Sequence, residues 1–462
     1  ATAILFSTTI AVIYKEPLYP FLISASIIYA ISFILLLFGK SHREYPKLVS
    51  KTAFLAVTIS WVVISISGAL PYYFSGHFNS FTDAIFESIS GFTTTGASIL
   101  TDIESLPKSI LFWRSLTHWI GGIGIIVLVI VIMPSLKISN YNLFVLESSL
   151  QEKIIPRIKK EGYRLLAIYV LITLVEIVLL RFGSMNLFDS ICHSFGTIAT
   201  GGFSTKNDSI AEYSPYIQYV IMIFMILAGT NFAVYYFSIL GKFRKIKVNE
   251  ELRYYFSILI IAGLVISGIL FIQTPLTIEH SLRQGFFQST SIITCTGFAT
   301  TDYLAWPPLA TGIIFILMFI GGSTGSTAGG IKIARHIIVF KNMKLVFRRA
   351  LHPNMIAGIK INDSHVSDDN NNKILSFVMW YFIAFAAGSM ILVFIGLDGA
   401  SAIGSIATAM GGIGPGLGTV GPVSNFANVP IVAKYVISFY MILGRLEIYP
   451  VLILFTKFYW RA

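Results

Sequence analysis

Long apolar stretches alternate along this chain with short amphipathic ones. Ten apolar stretches are candidate membrane helices, and they lie near 2–14, 19–38, 52–74, 110–133, 163–182, 215–240, 254–273, from 307 onward, 374–396 and 431–459. The first begins within an apolar run, so we expect further residues before it. The pattern predicts an all-α integral membrane protein with ten transmembrane helices.

The last eight apolar stretches form four pairs, and each pair encloses an amphipathic run of about 12 residues that is too short to cross a bilayer. Aligned on a glycine, these runs are FTDAIFESISGFTTTGAS (81–98), LFDSICHSFGTIATGGFS (187–204), LRQGFFQSTSIITCTGFA (282–299) and LDGASAIGSIATAMGGIG (397–414). The alignment predicts four pseudo-fourfold repeats of helix, re-entrant pore loop and helix. Two N-terminal helices in 1–40 precede the repeats, which cover 52–134, 163–241, 254–349 and 374–460.

Composition supports a membrane protein, because 55% of the residues are apolar and 12% are charged. The net charge of +11 does not require a nucleic-acid partner, since basic residues beside apolar spans are the usual topogenic signal. Two cysteines, Cys192 and Cys295, cannot form a disulfide framework. We expect both to fill apolar space in the re-entrant runs.

The basic residues also predict the topology. The segments 40–51, 135–164, 242–253, 332–373 and 457–461 carry 4, 6, 5, 8 and 2 Lys and Arg residues, which is 25 of the 33 in the chain. An even number of predicted spans separates these segments, so they share one face, and that face is cytoplasmic by the positive-inside rule. We therefore expect a multi-pass protein with both termini in the cytoplasm and four loops that enter from outside.

The four loops predict a pathway for a monovalent cation. Irregular backbone at membrane depth must face a water-filled cavity, and rings of backbone carbonyls can replace the water shell of an ion. No Asp or Glu lies in the last four residues of each loop up to its glycine, which disfavours calcium and magnesium. The candidate ion ligands are Thr94, Thr95, Gly96, Thr200, Gly201, Gly202, Cys295, Thr296, Gly297, Met410, Gly411 and Gly412.

Three acidic residues, Asp102, Asp208 and Asp302, follow the first three loops by a few positions. They are either solvated loop residues or acids that concentrate cations at the outer mouth. The sequence leaves both alternatives open.

The stretch GGSTGSTAGG (321–330) interrupts an apolar span that starts near Trp306. Each glycine costs about 1 kcal/mol relative to alanine inside a helix, so five of them predict a break near the middle of the bilayer. The break is either a flexible kink or an intramembrane loop that obstructs the pathway. The candidate gate residues are Gly321, Gly322, Ser323, Thr324, Gly325, Ser326, Thr327, Gly329, Gly330 and Arg445.

Arg445 belongs to this set because an arginine deep in a span costs several kcal/mol, on the order of 3 or more, unless it is paired or faces water. Its partner is either Glu447, in a structural ion pair, or backbone carbonyls of the interrupted span. Arg114 lies nearer the outer boundary, where we expect it to extend toward water. The histidines His118 and His193 are expected to pack or to form local hydrogen bonds.

The four loops, together with HWIGGIGI (118–125), GGSTGSTAGGIK (321–332) and GRLEIYP (444–450), resemble the Trk/Ktr/HKT superfamily of potassium transporters, and its TrkH branch in particular. The resemblance covers essentially the whole chain. It implies K⁺ as the transported ion, a pore inside each protomer of a homodimer, and a bacterial cytoplasmic membrane. It also implies a cytoplasmic nucleotide-binding regulatory subunit similar to TrkA. Sodium-selective plant members carry serine at the first filter glycine, and this chain has Gly96 there.

Three other classes of function compete with potassium uptake. A sodium-permeable or sodium- or proton-coupled transporter is possible on the same fold, and the sequence does not separate channel-like flow from coupled transport. A membrane-embedded enzyme would need clustered carboxylates or histidines, or a phosphate-binding motif, and the sequence has none of these at one membrane level. A scaffold would not require broken helices, which are costly in a membrane. No organic cofactor is expected on this chain.

Overall fold

The computed structural model describes residues 2–39, 50–127, 154–355, 358–362 and 364–461. The predicted end of the first repeat at 128–134 and the basic stretches 40–49 and 135–153 lie outside these residues. The described chain is mostly helical, with one two-stranded antiparallel sheet. It is a helical membrane protein.

The described residues up to 127 form five helices. They are α1 (Thr2–Ile13), α2 (Tyr19–Gly39), α3 (Ser50–Phe74), α4 (Phe81–Phe92) and α5 (Lys108–Val127). Glu16, in the turn after α1, accepts hydrogen bonds from the backbone N–H groups of Lys108 and Ser109, at 2.7 and 2.8 Å. These N–H groups have no partner within α5, so the N-terminal helices supply the cap of a later helix.

The middle of the chain continues with nine helices. They are α6 (Ile154–Phe182), α7 (Leu187–Ile198), α8 (Pro215–Ala228), α9 (Phe232–Ile239), α10 (Phe243–Val248), α11 (Glu250–Gln273), α12 (Ile278–Ile293), α13 (Pro308–Leu317) and α14 (Ile333–Leu351). The glycine-rich loop, residues 321–330, lies between α13 and α14. The predicted break in this span is therefore present.

The C-terminal part begins with the small sheet of β1 (Lys360–Ile361) and β2 (Ser364–His365). It continues with α15 (Asp368–Ile395), α16 (Gly399–Gly411), α17 (Ile431–Arg445), α18 (Tyr449–Leu452) and α19 (Lys457–Arg461).

Five helices in the described chain, α2, α3, α6, α11 and α15, are long and apolar enough to cross a membrane. The number rises to seven if each of two bent pairs counts as one span: α8 with α9, bent by 92°, and α17 with the helical turns after it, bent by 118°. The predicted spans 215–240 and 431–459 each contain a sharp bend that the sequence analysis did not anticipate.

Local chemistry explains both breaks. Between α8 and α9, the side chain of Asn231 accepts from the N–H of Ala233 at 2.8 Å and starts the new helix. Between α17 and α18, Glu447 and Ile448 both have left-handed backbone angles, with φ of 60° and 62°. Such angles cost a residue with a side chain about 1–2 kcal/mol each, so neighbouring contacts must stabilise this turn.

The four short helices α4, α7, α12 and α16 start in the same way. A side chain just before each helix accepts a hydrogen bond from the backbone N–H three residues later, and these caps are Ser80, Asn186, Thr277 and Asp398. A cap of this kind contributes about 1 kcal/mol to the helix. The helices are therefore fixed at their N-terminal ends, and their C-terminal ends lead into the loops that contain the candidate site.

Candidate functional site

The four short helices also end in the same way. After the last turn, a backbone N–H donates to the carbonyl five residues earlier, at 2.8–3.1 Å, in the pairs Thr95 to Ser90, Gly201 to Gly196, Thr296 to Ser291 and Ile413 to Thr408. The residue before each donor has a left-handed backbone, and these residues are Thr94, Thr200, Cys295 and Gly412. The residue after each donor is a glycine with φ of 79–99°, and these are Gly96, Gly202, Gly297 and Gly414.

This register corrects the fourth candidate segment. The sequence alignment placed Gly412 beside the other three glycines, but the structure places Gly414 there, two residues later. Met410 and Gly411 belong to the last turn of α16, and the equivalent triplet is Gly412, Ile413 and Gly414. The stretch GGIGPG offers several glycines, so a glycine match alone could not fix the register.

The four loops close into a ring. Each glycine packs against the carbonyl oxygen of the residue before the glycine of the next loop, so that a Cβ atom at the glycine would lie within 3 Å of that oxygen. The distances from such a Cβ atom to the carbonyl oxygen are 2.1 Å for Gly96 and Gly201, 2.1 Å for Gly202 and Thr296, 1.7 Å for Gly297 and Ile413, and 2.9 Å for Gly414 and Thr95. A side chain at any of these positions would displace the backbone of the ring.

Four backbone carbonyl oxygens line the ring. Within the described part of the chain, no donor reaches the carbonyl oxygens of Thr95, Gly201, Thr296 or Ile413. Buried carbonyl groups are rarely left without a partner, because the loss costs about 1–3 kcal/mol each. Four such oxygens in one ring form an arrangement suited to a cation. The same described residues contain no cluster of three or more His, Cys, Asp or Glu side chains that could hold a metal ion.

A cavity of about 190 Å³ lies on one side of the ring and is lined by all four of its glycines. Of the three acids predicted at the mouth, Asp208 lines this cavity. Asp102 instead accepts a hydrogen bond from the Asn207 amide, which holds the pKa of the Asp102 carboxyl below its usual value. Asp302 caps a short turn by accepting from the N–H of Leu304. Asp102 and Asp302 therefore stabilise loop turns.

Buried side chains brace the first loop from behind. Arg114 is 1% exposed and forms an ion pair with Glu87 at 2.8 Å, so the expectation that Arg114 extends toward water is wrong. Glu87 also accepts from the hydroxyl of Ser98 and the N–H of Ile99, at 2.9 and 3.0 Å. Arg114 donates to the carbonyl of Ser204, at 3.1 Å, and so ties the first loop to the second.

In the alignment of the four runs, His193 and Gln288 stand at the position of Glu87, and both make comparable contacts in their own repeats. His193 lies 3.0 Å from the hydroxyl of Ser204, and Gln288 donates to the carbonyl of Thr301 at 3.5 Å. The Nδ1 of His118 lies 2.8 Å from the carbonyl of Gly91, so this histidine forms a hydrogen bond, although with a residue of another helix and not with one close to it in the chain. These residues support the backbone of the loops, and nothing in the sequence pattern indicates that Glu87 pairs with Arg114.

The glycine-rich loop is held by polar contacts at its start and end. The N–H of Ser323 donates to the carbonyl of Gly229 at 2.9 Å, and Gly325 accepts from the N–H of Phe232 at 3.2 Å, so the loop pairs with the break between α8 and α9. Glu251, in the first turn of α11, accepts from the N–H groups of Thr324 and Ala334, at 2.6 and 3.2 Å. One carboxylate thus bridges two ends of the loop region.

The loop also lies against the ends of three short helices. The hydroxyl of Thr327 donates to the carbonyl of Ile198, the last residue of α7, at 3.0 Å. Gly329 approaches the carbonyl of Gly411 so closely that a Cβ atom on Gly329 would lie 2.2 Å from that oxygen. A Cβ atom on Gly330 would lie 3.6 Å from the sulfur of Cys295. The loop is therefore packed directly beneath the ring.

Arg445 joins the loop to the first repeat. Its guanidinium donates to the carbonyls of Thr327 and Gly121, both at 3.0 Å, and the residue is 6% exposed. The sequence analysis left Glu447 and backbone carbonyls open as partners of Arg445, and in the structure its partners are the carbonyls. Glu447 instead pairs with Arg335 at 2.5 Å.

Comparisons with known proteins agree with this architecture. The family model TrkH, described as cation transport protein, matches residues 21–461. The chain belongs to the TrkH family. As a member of this family it is an ion transporter and not an enzyme, which excludes the enzyme alternative.

Two relatives and one solved structure illustrate the similarity. The Trk system potassium uptake protein TrkH of Salmonella typhimurium is 35% identical over 436 residues, which are 92% of this chain and 89% of that protein. The Trk system potassium uptake protein TrkG of Escherichia coli is 33% identical over 419 residues, covering 89% of this chain and 86% of TrkG. The crystal structure of the potassium transporter TrkH from Vibrio parahaemolyticus matches with a TM-score of 0.88 at 31% identity, covering 100% of this chain and 97% of that one.

Proposed function

We propose that this chain takes up potassium across the bacterial cytoplasmic membrane, through a pore whose selectivity filter is the ring of four loops. The observation that carries the proposal is the closed ring of carbonyl oxygens, which no donor among the described residues reaches. The names of the relatives, which are Trk system potassium uptake proteins, support the choice of ion.

Potassium fits the chemistry of the ring better than a divalent ion does. A ring of carbonyls can replace the water shell of a weakly hydrated monovalent cation, whereas calcium and magnesium favour carboxylate oxygens. The proposed ligands are backbone carbonyls among Thr94, Thr95, Gly96, Thr200, Gly201, Gly202, Cys295, Thr296, Gly297 and the corrected triplet Gly412, Ile413, Gly414. K⁺ is the transported ion, and no organic cofactor is assigned to the chain.

The proposed architecture has ten spans, with two N-terminal helices followed by four pseudo-fourfold repeats. The matching caps and matching ends of the four short helices support this arrangement. The basic segments support an orientation with both termini in the cytoplasm. In that orientation the cavity above the ring faces outward, and the glycine-rich loop lies on the cytoplasmic side of the filter.

We assign the glycine-rich loop as the gate and Arg445 as a residue that holds it closed. The contacts of Thr327, Gly329 and Gly330 with the helix ends beneath the ring support an obstruction at this level. A guanidinium close under a filter also repels a cation that leaves it. Opening then requires the loop to move aside.

Two partners complete the proposal, a second copy of the chain in a homodimer and a cytoplasmic nucleotide-binding subunit similar to TrkA. The sequence has no nucleotide-binding motif of its own, so regulation by a nucleotide requires another subunit. Calorimetry with ATP and NAD on this chain alone should therefore detect no tight binding. Tight binding of either nucleotide would remove the need for the partner.

Cation flux from purified protein in liposomes tests the function directly. We expect potassium and rubidium to pass faster than sodium and lithium. Equal rates of sodium and potassium flux would favour the sodium-permeable alternative. Flux that requires a sodium or proton gradient would indicate coupled transport on the same fold.

Replacement of Gly96 by serine tests the filter. The new Cβ atom would lie 2.1 Å from the carbonyl oxygen of Gly201, so the ring must shift, and sodium permeability should rise relative to potassium. Gly76→Ser is a matched control, because Gly76 also has a positive φ, 73°, but has no atom within 4 Å of a Cβ at that position. An unchanged selectivity ratio in a conducting Gly96→Ser protein would contradict the assignment.

A further inference from the structure

Glu176 lies in α6, within the apolar span Gly162–Phe182. The residue is 0% exposed, and neither oxygen of its carboxyl group has a hydrogen-bond partner among the described residues. An ionised carboxylate in such a place carries a penalty of several kcal/mol, on the order of 3–5, when no partner compensates it. Ionisable side chains inside a membrane are retained for function far more often than for stability.

The surroundings of Glu176 fit a neutral carboxylic acid. The hydroxyl of Thr197, near the end of α7, lies beside the carboxyl group. This hydroxyl already donates its hydrogen to the carbonyl of His193 at 2.8 Å. While that hydrogen bond is made, the Thr197 oxygen faces Glu176 as an acceptor, so a protonated carboxyl group can donate to it and a carboxylate cannot.

The other ionisable groups near α6 are engaged elsewhere. The helices α5, α7, α8 and α9 pack closely against α6. Their charged and titratable side chains with contacts to other groups are Lys108, Arg114, His118, Asp189, Cys192, His193, Tyr216, Tyr219, Tyr235 and Tyr236. On α6 itself, Arg164 donates to Tyr236, Tyr169 to Trp119 and Arg181 to Met185. Among the described residues, no basic side chain forms an ion pair or a hydrogen bond with Glu176.

We propose that Glu176 is a proton-binding site inside the membrane, that the proton is bound in the conformation seen here, and that its release acts on the end of α7. The residue after Thr197 is Ile198, whose carbonyl accepts from Thr327 of the glycine-rich loop at 3.0 Å. Gly201 and Gly202 of the ring follow three and four residues later. Release of the proton leaves a carboxylate that needs water or a donor, so α6 and α7 must separate at this point.

The consequence for transport rests on the proposed potassium uptake. Separation of α7 from α6 displaces the ring at Gly201 and Gly202, whose carbonyls are proposed ion ligands, so potassium flux should fall as the pH rises. If the protonated form alone conducts, flux falls about tenfold for each pH unit above the midpoint, as expected for a single proton. Glutamine cannot titrate, so Glu176→Gln should give a flux that no longer depends on pH.

Potassium flux in liposomes across a pH series, with equal pH on both sides, measures this effect. Glu279→Gln is a matched control, since Glu279 is exposed and pairs with Arg283, and the control should keep the wild-type pH profile. Glu176→Asp keeps a titratable carboxyl group and should keep a pH dependence with a shifted midpoint. A Glu176→Gln protein with the wild-type pH profile would overturn the proposal.

Infrared difference spectroscopy provides a readout that does not depend on transport. The carbonyl stretch of a protonated carboxylic acid should be present at neutral pH in the wild type and in Glu279→Gln, and should be lost in Glu176→Gln. If that band is equally strong in all three proteins, Glu176 is not protonated and the proposal fails. The spectrum remains decisive even if liposome assays refute potassium uptake, so the two failures are distinguishable.

Discussion

The register of the fourth loop is the feature most open to a direct test, because the sequence alignment and the structure assign different glycines to the ring. We consider Gly414→Ala and Gly412→Ala. At Gly414, with φ of 99°, a Cβ atom would lie 2.9 Å from the carbonyl oxygen of Thr95. At Gly412, with φ of 67°, the nearest atom would lie 4.0 Å away.

The two substitutions share one cost and differ in another. A left-handed backbone costs a residue with a side chain about 1–2 kcal/mol, and both variants incur this cost. The positions equivalent to Gly412 are Thr94, Thr200 and Cys295, so three loops already carry a side chain there. Gly414→Ala must in addition displace the carbonyl of Thr95, a proposed ion ligand.

We therefore expect different effects on selectivity. Gly414→Ala should lower the permeability ratio of potassium to sodium by about tenfold, which corresponds to about 1.4 kcal/mol of lost preference. Gly412→Ala should change this ratio by less than about twofold, because the ring itself has no new contact to accommodate.

Reversal potentials or paired potassium and sodium fluxes in liposomes measure the ratio. The elution profile and the melting temperature of each purified variant establish that it is folded. The reverse result, a damaged Gly412→Ala and an unaffected Gly414→Ala, would refute the register of the ring and favour the sequence alignment.

Three further predictions concern the gate and the loop supports. Arg445→Ala removes the donors to the carbonyls of Thr327 and Gly121, so potassium flux in liposomes should rise while the preference over sodium stays; unchanged flux in a folded protein would count against the gate. Glu251→Gln weakens two charge-assisted hydrogen bonds, each worth about 1.5–3 kcal/mol, and should also raise flux. Arg114→Ala leaves Glu87 buried and unpaired, at a cost of about 3–5 kcal/mol, so its melting temperature should fall below that of the wild type; an unchanged value would refute this estimate.

Much of the candidate site could be predicted because its chemistry is local. A short amphipathic run that ends in Thr-Gly or Gly-Gly marks each of the first three loops, and Gly96, Gly202 and Gly297 all have a positive φ. The glycine-rich loop was equally visible, because several glycines within ten residues cannot sustain a helix. In these segments the conformational preference of glycine determines both the sequence pattern and the backbone conformation.

The parts that could not be predicted depend on contacts between distant segments. Glu87 and Arg114 are 27 residues apart, and their ion pair follows from the packing of α4 against α5. Glu251 stands at the start of an apolar helix beside a basic segment, which is an ordinary place for a solvated acid. Its role in holding the glycine-rich loop is visible only in the folded chain.

The helix breaks show why one of them was predicted and two were not. In a membrane, each break leaves backbone groups that need partners inside the protein. The break between α8 and α9 exchanges hydrogen bonds with the glycine-rich loop through Gly229 and Gly325. The break after α17 is joined to the start of α14, just beyond the loop, by the ion pair of Glu447 with Arg335. The three breaks therefore stabilise one another through these contacts. Only the glycine-rich loop shows its break as a run of glycines in the sequence, and the other two breaks depend on contacts with that region.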